Sequence, residues 1–285
     1  MRGETTIGYV VNETTRAIWK YLKEEYMPLP SENMWQEIAK RYEELWNMPN
    51  CLGSIDGKHI RIQAPPNCGS AYYNYKSYNS IVSMAIIADA DSLFTAISVG
   101  DFGRNSDGAV FKNSQIGRLL DENKLNIPPA TSLPRDDNGC PFPMFFIADE
   151  AFALRQEIMK PYPQRTLNNA KRIFNYRLSR ARKSVECSFG MLYSKFRVFH
   201  TPIACNVDKA ENIVKATCVL HNFISKHDGA FVSADTSLQL PQNFINTPPQ
   251  LCGRPTTAAV QLRDRLCQYF VKPEVALPWQ NIVCV

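Results

Sequence analysis

The sequence predicts an α/β fold, a mixed sheet with flanking helices preceded by a small helical segment, and three observations carry that prediction. Short β-rich runs at residues 55–63, 80–88 and 93–100 follow one another, separated by turn residues such as Ala90 and Asp91. The run Met144 to Ala148 is wholly apolar and ends on Asp149; without alternation, it reads as a central strand covered on both faces. Apolar stripes at helical spacing lie on both sides of this β-rich middle.

Each element has a local reason. Over residues 5–26, Ile7, Val11, Ile18 and Leu22 recur at helical spacing behind a Thr5 cap, and Pro28 and Pro30 stop the helix. A second helix starts near Ser31, carries Met34, Trp35, Ile38, Tyr42, Leu45 and Trp46 on one face, and ends by Pro49. This pair reads equally as half of a helix-turn-helix and as a packing subdomain. The three β runs follow as strands. Residues 109–120 then form a helix with Val110, Phe111, Ile116, Leu119 and Leu120 apolar, and a Pro-rich loop over 128–143 leads to the fourth strand. A short helical stretch over 152–158 and a short fifth strand within 158–162 precede a long helix over 169–196, whose stripe is Leu178, Ala181, Val185, Phe189, Leu192 and Phe196. Asp208 caps another helix running to Lys226. Past a loose segment with Pro241, Pro248 and Pro249, a short amphipathic helix lies near 258–270. Three strands, helix, strand, helix and long helix is the order of a ribonuclease-H-like layout. It implies a five-stranded mixed sheet in which the strand ending at Asp149 lies beside the one near Asp56.

Composition narrows the function classes. With 285 residues, 45% of them hydrophobic and 21% charged, the chain can bury a core without disulfides and is neither disordered nor fibrous. No apolar run reaches the ~20 residues of a membrane span, and the first residues are too polar for a signal peptide. The chain therefore reads as a soluble protein. Nine cysteines with no Cys-x-x-Cys pair and no zinc spacing suggest a reducing compartment, cytosol or nucleus. The net charge of +5 is unevenly placed: between Lys171 and Arg197 stand Lys171, Arg172, Arg177, Arg180, Arg182, Lys183, Lys195 and Arg197 against the single acid Glu186. Such a stretch reads either as a phosphate-backbone footprint, with Arg177, Arg180, Arg182, Lys183, Lys195 and Arg197 as the DNA-binding set, or as a solvated helix face.

Four acids fall where chemistry could sit: Asp56 by the first strand, Asp107 after the third, Asp149 at the end of the fourth, and Glu186 on the long basic helix. Carboxylates in such a cluster suit Mg²⁺ or Mn²⁺, and phosphodiester hydrolysis on two ions ~4 Å apart needs them. Each acid also has a plain reading. Asp56-Gly57 is a common turn dipeptide, Asp107 and Asp149 can cap local structure, and Glu186 can pair with Arg182 or Lys183. Other chemistries lack their signatures. His59, His200, His221 and His227 show no ligand spacing, no nucleophile elbow or phosphate loop is present, and His221 reads as a structural hydrogen-bonder.

At these residues the sequence resembles the PIF/Harbinger transposase-derived nucleases, a DDE-superfamily endonuclease group with members among animal host genes. The resemblance rests on Gly53-Ser54-Ile55-Asp56-Gly57-Lys58-His59-Ile60, Tyr72-Tyr73-Asn74-Tyr75-Lys76, Val99-Gly100-Asp101-Phe102-Gly103 with Ser106-Asp107, Ala148-Asp149, and Phe174-Asn175-Tyr176-Arg177. It rests most specifically on Val185-Glu186-Cys187-Ser188-Phe189-Gly190-Met191-Leu192 with Lys195-Phe196-Arg197, and it continues into Leu220-His221-Asn222-Phe223. It spans about residues 51–225. Three positions depart: Ser106 stands for the family's His, Ala151-Phe152 for its Gly-Tyr, and Leu178-Ser179 for its His-Ser.

The resemblance implies that Asp56, Asp107, Asp149 and Glu186 are metal ligands for Mg²⁺ or Mn²⁺. Asp56 and Asp149 would flank the ions, Glu186 would complete the second site, and Asp107 would bind directly or through water. Asp56, Asp149 and Glu186 would be the catalytic set. It further implies a nuclear DNA endonuclease or, alternatively, a catalytically silent DNA- or chromatin-binding protein of the same origin. DNA and a Myb-like DNA-binding protein are the expected partners, with a second copy of the chain left open and no membrane. The domain reading is a helical segment over 1–50, a remnant of a helix-turn-helix-like region lacking its upstream part; a nuclease domain over 51–227; and a loose extension with one short helix over 228–285.

Overall fold

The computed structural model describes residues 4–136, 139–229 and 254–280. The segment containing Pro241, Pro248 and Pro249 lies outside them. Helix α1 runs Glu4–Tyr26 and α2 Glu32–Trp46. Because α1 begins at Glu4, a good helix former, Thr5 stands inside its first turn and is not the cap. Ser31 does cap α2, its Oγ accepting from Met34 N, while Asn47 in the left-handed region closes the other end before Pro49 is reached.

Strand β1 is Cys51–Arg61 and β2 Ser80–Ala88; they pair antiparallel, with a bulge between Asp56 and Lys58. The 93–100 run is two strands, β3 (Phe94–Ala96) and β4 (Val99–Phe102), both antiparallel to β2 at different places along it. Helices α3 (Asp107–Asn113) and α4 (Gln115–Asp121) divide what reads as one helix, since Ser114 leaves helical geometry and turns its Oγ to cap Gly117 N. Strand β5 (Phe145–Ala148) runs parallel to β1 and β6 (Ile158–Met159) parallel to β5. Residues 152–158 are therefore not helical: after a turn at Asp149, the chain goes directly into β6, whose ladder to β5 takes up its backbone groups. The sheet order is β3-β2-β1-β5-β6 with β4 also on β2, so the sheet has six strands, and the strand ending before Asp149 does neighbour that of Asp56.

Helix α5 (Asn169–Lys195) crosses the sheet, followed by α6 (Val207–Asp228) and α7 (Thr257–Tyr269). Asn206, two residues before Asp208, caps α6 with its side chain on Lys209 N. Helix α5 buries a broader face than its stripe suggests, because the sheet lies on one side and α7 on another; Ile173, Phe174, Leu178 and Ala181 share a core with Leu266 and Phe270. Helix α2 enters that core through Tyr42 and Trp46. Tyr42 is completely buried, and its hydroxyl sits at a junction: 2.8 Å from Ala88 O, 3.1 Å from Ser54 Oγ on β1 and 2.8 Å from Ser184 Oγ on α5. Burial of such a ring contributes about 2 kcal/mol. Its hydrogen bonds also fix β1 and α5 relative to each other, two residues before Asp56 and Glu186 respectively.

On the far edge, Asn222 donates to Phe94 O and Tyr26 O and accepts from Phe94 N, while His221 Nε2 lies 2.9 Å from Ser92 O. The Leu-His-Asn-Phe motif thus ties α6 to β3 and to the end of α1, the structural role expected of His221. The seven cysteines among the described residues are all free, and no described helix is long and apolar enough to cross a membrane.

Candidate active site

The parallel register of β1 and β5 sets Ile55 opposite Ala148, so Asp56, still in β1, and Asp149, just past the end of β5, are the residues that follow the last pair of this ladder. Ends of parallel strands are where α/β sheets gather ligand-binding groups. Asp149 leaves β5 in a tight turn, its Oδ1 accepting from Ala151 N at 2.9 Å. Asp56 and Gly57 are not a turn; they lie inside the eleven-residue β1, at its bulge. Helix α3 begins at Asp107, with Ser106 and not Asp107 as the cap, and the Asp107 side chain comes so close to Gly57 that a Cβ there would overlap its carboxylate. Glu186 looks in from α5.

Arg182 stands among these acids. One turn before Glu186 on α5, its Nη2 lies 3.4 Å from Asp56 Oδ2 and its Nη1 3.8 Å from Glu186 Oε1, with only 12% of its side chain exposed. Asp56 also accepts from Gly57 N at 2.8 Å. Burial raises the Asp56 carboxyl to about 6; Arg182 opposes the rise, and Asp149 adds to it. Asp107 is pushed to about 7 by burial and then by the charges of Asp56 and Asp149, with Lys76 pulling the other way. Its Oδ1 is buried with no hydrogen-bond partner. Asp56 is thus coupled to Asp107, Asp149 and Glu186, with Arg182 buried among these acids and Lys58 and Lys76 acting from beside them.

A divalent ion fits this unit chemically. The donors are all carboxylate oxygens, as Mg²⁺ and Mn²⁺ require, and the buried Asp107 Oδ1, packed against Gly57 and under the charges of Asp56 and Asp149, has no proton donor. Among the described residues, however, no three such side chains already surround one point at metal-holding distance. The guanidinium of Arg182 bridges Asp56 and Glu186 instead.

The six basic residues read as a DNA-binding set divide. Arg177 is 2% exposed, donates to Asn47 O and lies 3.8 Å from the Phe270 ring, with burial lowering its guanidinium to about 10. It is a core residue. Arg180 donates to Asn47 Oδ1 and covers Trp279, and Arg182 belongs to the acids. These three turn toward protein because α5 is packed on two sides. Lys183, Lys195 and Arg197 are exposed, with Lys195 Nζ 3.4 Å from Asp228 Oδ2. Beyond the predicted residues, the site depends on Gly57, whose missing side chain admits Asp107, and on Tyr42, which reads in sequence only as one more stripe residue.

A parallel-strand pair bearing two acids, a third on an adjoining helix start and a fourth on a crossing helix define an α/β protein built like a phosphodiester-cleaving enzyme. The comparisons agree: residues 55–222, more than half of the chain, match the DDE superfamily endonuclease model, and the protein belongs to that family. It is 23% identical over 275 residues to the protein named ALP1-like from Arabidopsis thaliana, covering 92% of this chain and 64% of that one. It is 25% identical over 223 residues to a Xenopus laevis protein named HARBI1, covering 75% and 58%. The Arabidopsis protein named antagonist of like heterochromatin protein 1 is 21% identical over 224 residues, covering 78% and 55%. The chain thus spans under two thirds of the length of each of these relatives. No solved structure matches it.

Proposed function

We propose that the protein is a divalent-metal-dependent DNA endonuclease that hydrolyses phosphodiester bonds at Asp56, Asp107, Asp149 and Glu186. The observation that carries this reading is the orphaned, buried Asp107 oxygen in a group of acids where burial first, and then the neighbouring carboxylates, raise Asp56 to about 6 and Asp107 to about 7. Such an arrangement destabilises the metal-free state, and a dication relieves it. Asp56 and Asp149, from neighbouring strands, would hold the ions, with Asp107 and Glu186 completing the set. Bound ions activate water and stabilise charge on phosphate oxygens. The chain's own part is to fix the acids: Tyr42 holds β1 against α5, Gly57 admits Asp107, and Arg182 withdraws from Asp56 and Glu186 to meet the negative phosphate. Exposed Lys183, Lys195 and Arg197 hold the DNA backbone. The nucleus is the compartment in which such a substrate is met, and a Myb-like DNA-binding protein or a second copy of the chain would supply sequence recognition.

Nicking of supercoiled plasmid tests the reading. Wild type should nick in Mn²⁺ and not with chelator, and Asp149→Asn should lose at least a hundredfold in rate. Wild type that binds DNA but nicks nothing in Mg²⁺ or Mn²⁺ overturns it. That result favours the second reading, a silent DNA-binding protein in which the Arg182 bridge across Asp56 and Glu186 permanently takes the place of metal.

A further inference from the structure

Beside the acids, strand β1 carries a lysine held by aromatic rings. Lys58 follows Asp56 by two residues, across the bulge, and its Nζ lies 5.6 Å from the centre of the Phe189 ring and 4.9 Å from that of Tyr193. Those rings stand three and seven residues after Glu186 on α5, so they share its face of the helix. They keep the half-buried Lys58 ammonium on the side of the sheet from which Arg182 and Glu186 meet Asp56. A second lysine reaches the same place from the segment between β1 and β2. Tyr75 meets the His59 ring edge-on at 5.4 Å, which brings together their chain neighbours Lys76 and Lys58. Lys76 is exposed, with its Nζ 5.4 Å from the centre of the Tyr75 ring. Burial and then the charge of Lys76 lower the Lys58 ammonium, while Asp56 opposes them, and Lys76 opposes the rise of the Asp107 carboxyl. Among the described residues neither lysine enters an ion pair; it is Arg182 that takes Asp56 and Glu186.

Two ammonium groups brought together without an ion-paired carboxylate make a place for an anion, because each raises the cost of the other. Dications on the acids would add to the positive charge around them, and an incoming phosphate would balance it. We propose that Lys58 and Lys76 hold the DNA phosphate adjoining the one presented to the acids. This deepens the endonuclease reading and rests on it. An ammonium is a compact charge with three rotatable donors, suited to a phosphate oxygen and indifferent to base sequence. Phe189 and Tyr193 already fix the Lys58 side chain, so it loses little freedom when the phosphate arrives.

The test is fluorescence anisotropy of a labelled duplex at several salt concentrations, in chelator so that no cleavage intervenes. Lys58→Met with Lys76→Met should lower the salt slope by roughly 1.8, at ~0.9 for each lost phosphate contact, and weaken binding at about 0.1 M salt roughly tenfold or more. Methionine keeps an apolar stem on the rings, so the melting temperature should move by only a few degrees. Lys58→Arg with Lys76→Arg should keep the wild-type slope, since both charges remain. Lys76→Met alone changes an exposed side chain and should lower the slope by roughly 0.9, a readout that does not depend on the pair folding. A slope unchanged in the methionine pair or in Lys76→Met, or lowered as much by the arginine pair, would overturn the phosphate site and leave the endonuclease reading standing. Stability lost with the slope intact would also overturn it, making the lysines counter-charges to the acids. Wild type that binds no duplex overturns both readings.

Discussion

Asp107→Asn should make the metal-free protein more stable, and the size of the gain follows from the site. Burial and the charges of Asp56 and Asp149 raise the Asp107 carboxyl from 3.8 to about 7. At about 1.4 kcal/mol for each pH unit, holding that group ionised in the folded protein costs ~4 kcal/mol. Asp56 and Asp149 share part of that cost, and water reaches the site, so about half, ~2 kcal/mol, is expected from removing one acid. The sign is fixed by linkage. The folded state binds this proton more tightly than the unfolded chain, so wild-type stability falls as pH rises from about 4 to about 7 and is flat beyond. Asparagine does not titrate. Urea unfolding followed by circular dichroism in chelator should therefore find the variant equal to wild type near pH 4 and ~2 kcal/mol more stable at pH 8. Millimolar Mg²⁺ should stabilise wild type and leave the variant almost unmoved, closing the gap. A variant less stable than wild type at pH 8, or a difference independent of pH, would mean that the Asp107 charge does not strain the folded protein.

The other predictions concern the neighbours of the acids. Gly57→Ala places a methyl on the Asp107 carboxylate, so it should weaken Mn²⁺ binding, read by isothermal titration calorimetry, at least tenfold while the melting temperature changes by only a few degrees; unchanged affinity would show that Asp107 is not a ligand. Arg182→Met leaves Asp56 and Glu186 without their cation and should cost about 3 kcal/mol in chelator at pH 8; Mn²⁺ should recover most of it, and a loss that metal does not recover would make Arg182 purely structural. Arg177→Ala should destabilise the fold by about 3 kcal/mol without altering the salt dependence of DNA binding, whereas Lys183→Ala with Arg197→Ala should leave stability alone and reduce the salt slope by roughly 0.9 for each lost phosphate contact. The reverse pattern would return Arg177 to the DNA-facing set.

How far these features were legible differs by residue. Strand β2 and helix α5 stand close to where periodicity puts them, because each is long and its apolar spacing unambiguous. Strand β6, two residues long, falls within the short strand expected over 158–162, but the helical stretch predicted over 152–158 does not form, because the chain there is drawn toward the β5 ladder, which no local pattern reveals. The division of residues 93–100 is likewise decided by where β2 offers partners. Asp56-Gly57 has the composition of a turn, and only a long-range pairing with β2 and β5 holds it in a strand. The acids could be picked out by their order along the elements, but Arg177 and Arg182 could not be told from surface cations. Their burial depends on α7, which arrives from a distant part of the chain, and on acids brought in by the sheet.

Whether Asp56, Asp107, Asp149 and Glu186 together hold divalent metal is measured most directly by electron paramagnetic resonance of Mn²⁺ titrated into the protein. Wild type should remove the free Mn²⁺ signal with saturable binding, Asp56→Asn and Asp149→Asn should each abolish at least one bound ion, and Arg182→Met should bind more tightly than wild type. A free Mn²⁺ signal undiminished by wild type at millimolar metal, or identical binding in wild type and both asparagine variants, would mean that the four acids do not hold it.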